Sequence, residues 1–185
     1  MTIVQGDPLA LDNIIIDVTN KFSDQITQCW LLVSTKEQRL YLINSGVVEC
    51  RYSISTSKYG VGEEQDSYKT PRGAHVIERK IGDDCALNEI LRARQPTQER
   101  AEIISHAECS QQDLVLTRIL WLKGLEPGKN LGDGVDSFQR YIYIHGTQEE
   151  GLIGTAASHG CVRMLNKDVI ELYDRIAEGT FVYID

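Results

Sequence analysis

The sequence lacks several features, and each absence removes a class of protein. No stretch approaches the ~20 consecutive apolar residues of a membrane-spanning helix, so a membrane protein of that kind is not expected. The opening MTIVQGDPLALDNIIIDVTN has no basic segment ahead of an apolar core, and Asp7, Pro8, Asp12 and Asn13 interrupt it. It does not read as a secretory leader. With Met1 in place, the reading is a complete cytoplasmic chain, or a periplasmic one if a leading segment is missing. The five cysteines (29, 50, 85, 109 and 161) are odd in number and show no framework spacing. That pattern argues for reduced thiols rather than a disulfide scaffold. The formal net charge is −8, yet no block of like charge stands out, which argues against nucleic acid or an anionic membrane as partner. Internal repeats and low-complexity runs are also absent.

What is there is ordinary globular material: 185 residues, 42% hydrophobic and 25% charged, enough for one domain with a proper core. Residues 13 to 57 read as β. CWLLVST and RLYLI are separated by the polar KEQ, and NSG turns the chain into VVECRYSIST, a pattern that suits a half-buried antiparallel sheet. A polar loop then reaches Pro71 and Gly73, a tight turn into AHVIERKI. In ALNEILRARQ, Leu87, Ile90 and Leu91 fall at helical spacing, which predicts a partly helical insertion within about 82–135. DLVLTRILWL and FQRYIYIHG return to strand. Asn166 is placed to N-cap a helix with Val169, Leu172, Tyr173 and Ile176 on one face. Gly179 suits the left-handed position that ends it, and TFVYID closes as a strand.

The stretch YIYIHGTQEEGLIGTAASHGCVRM, residues 141–164, concentrates reactive side chains. Cys161 follows Gly160 and precedes the predicted helix, whose N-terminal dipole would favour thiolate. Gly160 lets the backbone approach closely, so amides near the sulfur can serve as an oxyanion hole. His145 ends a strand and is suited to general-base work. From the residues alone, a small core cysteine and a hydrogen-bonded structural histidine are equally good readings. A zinc site of His145, His159 and Cys161 is a third, weakened by the short His-x-Cys spacing. His106, Glu108 and Cys109 have no partner motif and are read as coincidence.

These residues resemble a known family. HGT followed by SHGCVRM is similar to the signature of the L,D-transpeptidase catalytic domain (the YkuD family), KTPRG resembles its Thr-Pro-x-Gly turn, and NKDVIELYDRIAEGTFVYI resembles its closing helix and strand. The resemblance covers roughly 27–185 and implies a single domain, a β-sandwich with one helix near the C-terminus. It implies Cys161 as nucleophile and His145 as base, with the Gly146 carbonyl orienting the imidazole. His159 and Gly160 would lie at the oxyanion turn, which Ser158 would help to hold on the substrate side. Arg163 would sit at the mouth, suited to a substrate carboxylate, with Arg118 a weaker candidate for the same work. Trp121 is read as core rather than pocket wall.

The implied substrate is a peptidoglycan stem tetrapeptide, cleaved before its terminal D-alanine through a thioester, with no cofactor or metal. With no export signal read, the expectation is an L,D-carboxypeptidase of muropeptide recycling. The alternatives are an L,D-transpeptidase of the cell wall and, from a different class, a non-catalytic muropeptide-binding protein.

Overall fold

The computed structural model describes residues 8–185. It opens with helix α1 (Pro8–Lys21), followed by the meander β1 (Cys29–Ser34), β2 (Arg39–Asn44) and β3 (Val47–Ser55). Next come β4 (Gly73–Ile81), β5 (Glu89–Arg92), β6 (Gln95–Arg100), β7 (Leu116–Gly124) and β8 (Tyr143–Gly146). A 3-10 turn (Glu150–Leu152), β9 (Val162–Met164), helix α2 (Asn166–Arg175) and β10 (Phe181–Ile184) complete the chain.

The strands form one sheet in the order β4-β10-β1-β2-β3-β9-β8-β7-β5-β6, and a further β4–β7 pairing joins the ends of its first eight strands. The sandwich-type fold is therefore a sheet closed on itself. Leu31, Leu40, Ile54, Ile77, Leu120, Ile144, Val162 and Val182 fill its interior, one from each of those eight strands. Helix α2 adds Val169, Leu172, Tyr173 and Ile176 to the same core, the apolar face expected for it. Burying each such side chain contributes ~1.5–3 kcal/mol. Among the described residues no helix is long and apolar enough to cross a membrane.

The chain departs from the sequence reading in three places. Residues 13–21 belong to α1, not to a strand. The β-branched run Ile14-Ile15-Ile16 suggests strand, but Ile15, Val18 and Phe22 fall on one helical face that packs outside the sheet against Trp30, Leu32, Tyr41 and Phe181.

The expected helical insertion is instead the hairpin β5–β6. Arg92 pairs with Gln95, and the two loop residues Ala93 and Arg94 have φ of 47° and 68°. Positive φ at both loop positions is the type I′ geometry that two-residue hairpins favour. Three apolar residues at helical spacing are too few to decide against strand, and tertiary pairing of Ile90 with Leu116 on β7 decides it. The range 82–135 also contains β7, a central strand of the closed sheet, so the added structure is confined to the hairpin and the segment after it.

The third departure concerns the ends of α2. Leu165 is its N-cap, and Asn166 is already within the helix. Gly179, at φ +87°, turns the chain into β10 after the helix has ended at Arg175.

Between β6 and β7, residues 101–115 form an irregular strap tied down along its length. The Ile104 N–H donates to the Gln148 carbonyl (2.8 Å), the Gly151 N–H to the Ile104 carbonyl (2.9 Å), and the Ser110 N–H to Glu149 Oε1 (2.6 Å). Gly151 permits this contact, because a Cβ there would lie 2.1 Å from the His106 carbonyl oxygen.

Candidate active site

Strand alternation separates the site from the core. Leu120, Leu122, Ile144, Val162 and Met164 point inward, so the alternate residues of β7, β8 and β9 face out. The outward set is Ile119 and Trp121, then Tyr143 and His145, then Arg163, with His145 paired in register to both Ile119 and Arg163. Cys161 stands two residues before Arg163, on the same face, packed against Cys85, Leu91, Ile119, Trp121 and Tyr143. Trp121 is buried, as a core residue would be, but it forms part of the floor beneath the cysteine and stacks on Phe138 with ring centroids 4.0 Å apart.

The turn before the sulfur is held from two sides. Gly160, at φ +127°, adopts a conformation that favours glycine, and its carbonyl accepts a hydrogen bond from Thr70 Oγ1 at 3.0 Å. The Ser158 hydroxyl accepts the Gly160 N–H (3.3 Å) and donates to the Cys161 carbonyl (2.6 Å). Ser158 is fully buried, so it shapes the turn and offers nothing to a substrate. His159 is exposed, with Nδ1 2.9 Å from Asp113 Oδ2 and its ring beside those of Tyr59 and Tyr68.

Strand β9 separates Cys161 from α2, so the expected helix dipole does not reach the sulfur. Sγ instead accepts the Tyr143 N–H (3.4 Å) and donates to the Tyr141 carbonyl (3.4 Å). Burial pushes the thiol up to about 12, although the Tyr143 N–H and the cations Arg163 and Arg140 oppose it. The resting cysteine is a thiol, not the thiolate expected from sequence.

His145 is buried and its Nδ1 lies 2.7 Å from the Gly146 carbonyl oxygen. A carbonyl only accepts, so Nδ1 carries the proton and Nε2 keeps its lone pair. Burial pulls the imidazole down to about 4, while the Asp113 carboxylate opposes that fall. Asn166 fixes this corner. Its Nδ2 donates to the Thr147 carbonyl (2.7 Å) and to Glu150 Oε1 (2.8 Å), and its Oδ1 accepts from Thr117 Oγ1 (2.6 Å). Residue 146 must be glycine for the same reason, since a Cβ would lie 2.3 Å from Asn166 Oδ1 and 2.9 Å from the Leu116 carbonyl oxygen.

The arginines are not where the sequence reading put them. Arg163 is buried rather than at the mouth, and its guanidinium is held between Glu149 (2.6 Å) and Asp113 (2.7 Å). No free face remains for a substrate carboxylate. Arg118 lies on the inward, α2-facing side of β7, donating to the Cys85 and Thr117 carbonyls (2.8 Å each) over the Tyr173 ring. It has no access to Cys161. Nor do His145, His159 and Cys161 gather as metal ligands: among the described residues no three His, Cys, Asp or Glu side chains do so.

Sequence reasoning missed Asp113 and Glu149. Asp113 meets His159 across 46 positions and carries no motif. Glu149 had a faint signal, a buried acid four residues beyond a strand-end histidine.

A closed sheet with a glycine-flanked cysteine and a carbonyl-held histidine on one outer face defines a class. A family model names it: the L,D-transpeptidase catalytic domain (YkuD) matches residues 28–184, and the chain belongs to that family. Over 60 residues it is 55% identical to YkuD of Bacillus subtilis (strain 168), covering 32% of this chain and 37% of that protein. YqjB of the same organism is 36% identical over 69 residues, 34% of this chain and 39% of its own length. Each match thus spans well under half of the curated relative. Among solved structures, L,D-transpeptidase 3 from Mycobacterium tuberculosis in complex with a faropenem-derived adduct superposes with a TM-score of 0.52. Identity there is 14%, over 85% of this chain and 60% of that one, so the likeness concerns fold.

Proposed function

We propose that this chain cleaves the L,D bond before the terminal D-alanine of a peptidoglycan stem tetrapeptide, with Cys161 as nucleophile, His145 as base and water as the acceptor. The observation that carries this reading is the protonation pattern of His145. With Nδ1–H held by Gly146, Nε2 is a ready acceptor on the face that also bears Cys161. In the reaction, the Sγ–H rotates off the Tyr141 carbonyl and passes its proton to Nε2. The sulfur attacks the scissile carbonyl, and the resulting imidazolium returns the proton to the departing D-alanine nitrogen. A thioester remains on Cys161. Water, deprotonated by His145, then releases the tripeptide acid and restores the thiol.

The strap supports the hydrolytic ending, since it is pinned along the edge of the site and limits space for a second peptide. One observation favours an amine acceptor instead: the Asp113 carboxylate is partly open to solvent and would attract an ammonium group.

Incubating the purified protein with free tetrapeptide and following masses separates the readings. Tripeptide plus D-alanine supports hydrolysis, whereas cross-linked dimers or exchanged D-amino acids without net tripeptide sink it in favour of transpeptidation. No turnover, together with no faropenem adduct on Cys161, leaves the muropeptide-binding reading. Cys161→Ala is expected to abolish turnover with the fold intact, and a chelator to leave turnover unchanged.

A further inference from the structure

Arg163 is buried between two carboxylates, and only one of them belongs to the sheet side of the site. Glu149 follows β8 directly, whereas Asp113 arrives on the strap, from outside the closed sheet. One guanidinium between two carboxylates leaves a surplus negative charge beside His145. That surplus is matched when His145 takes the thiol proton and becomes imidazolium.

We propose that Asp113 is a positioning residue for the base: the docked strap supplies the counter-charge of the His145 imidazolium, acting through space and through Arg163 rather than by a direct bond. The step it favours is internal and balanced. The proton leaves Sγ, the S–H bond electrons stay on sulfur, and Nε2 gains the proton. The groups facing His145 are Tyr143 from its own strand, Cys161 and Arg163 from the adjacent strand, Ile119 from β7 and Asp113 from the strap. Asp113 supplies the counter-charge within this set, while Glu149 is engaged by Arg163 and by the Ser110 N–H. His159 adds a second hold on Asp113, from the turn that carries the nucleophile. Asp113 favours the imidazolium and also raises the thiol, so its loss lowers the protonation range of both partners.

The inference rests on Cys161 and His145 being the reacting pair, not on the identity of the substrate, and its test needs no peptidoglycan. Iodoacetamide alkylation of Cys161 is followed against pH by mass spectrometry of the peptide that contains it, in the wild type, Asp113→Asn and Asp113→Glu. The expected result for Asp113→Asn is an acid limb displaced to lower pH and a neutral-pH rate reduced roughly tenfold, the effect of one lost charge contact. Asp113→Glu is expected to return the limb towards the wild-type position. A merely structural role predicts the opposite displacement, because a loosened strap admits water and lets the imidazole rise towards its ordinary range. An acid limb that moves up or stays put in Asp113→Asn overturns the proposal, as does a wild-type Cys161 that iodoacetamide does not modify. A chain that processes no stem peptide yet shows the downward displacement retains this inference and loses the proposed function.

Discussion

At the scale of residues, Cys161 and His145 rest as an uncharged pair, and no hydrogen bond joins Sγ to the imidazole. Catalysis therefore begins with a proton transfer rather than with a standing thiolate. Because burial holds His145 down to about 4, kcat/KM is expected to hold from about pH 5 upward and to fall only below that, as the base protonates. A pH–rate profile checks it, and an acid limb near the 6.5 of an ordinary histidine would refute the buried neutral base. Gly146→Ala is expected to cost several kcal/mol (about 3, as for overpacked cores), measured by urea unfolding, because the added methyl has no room beside Asn166. Cys161, His145 and Gly146 were legible because their chemistry is written in one short run of sequence. Arg163 was legible as a candidate but not in its surroundings, since neither of its carboxylate partners is local to it. Asp113 was not legible at all, because nothing near it marks it out before the strap folds back.

At the scale of elements, two contacts are open to test. The Ala93–Arg94 turn holds two non-glycine residues in the left-handed region, where asparagine is better tolerated than alanine. Ala93→Asn is expected to stabilise the protein by about 0.5 kcal/mol, read as a raised denaturation midpoint. Asn166→Ala is expected to cost about 2–3 kcal/mol and to lower activity, since it strands the Thr147 carbonyl and the Thr117 hydroxyl and frees the backbone behind His145. The β1–β3 meander could be read from sequence because its alternation runs over many residues and its turns carry their own signals. Helix α1 and the β5–β6 hairpin could not. Each is short, and each takes its form from the surface it packs on, the outer sheet for α1 and β7 for the hairpin.

At the scale of the whole molecule, the fold contains two histidines whose proton uptake opposes folding. His75 and His145 are both buried and pulled down to about 4 by burial. The unfolded chain takes up protons near the ordinary histidine value of 6.5, whereas the folded chain does not until about 4. Their contribution to stability is therefore full above that ordinary value and drains away as the pH falls towards the lower one. The melting temperature is expected to drop across that interval, and His75→Gln, which can still bond to the Ser137 hydroxyl, should flatten the slope. A melting curve insensitive to pH there would contradict the burial of both rings.

The β4–β7 pairing also determines where this protein is open to self-association. Joining those two strands removes the free borders that an open sheet would present, and the exposed rim passes to β6 at the tip of the hairpin. There Pro96 withholds an amide and the Arg92–Glu99 ion pair puts charge along the strand, so another chain finds few backbone groups to zip onto. Replacing Pro96 and Glu99 with β-branched apolar residues would turn that guarded rim into a sticky one, and dimers or fibrils would start at the hairpin.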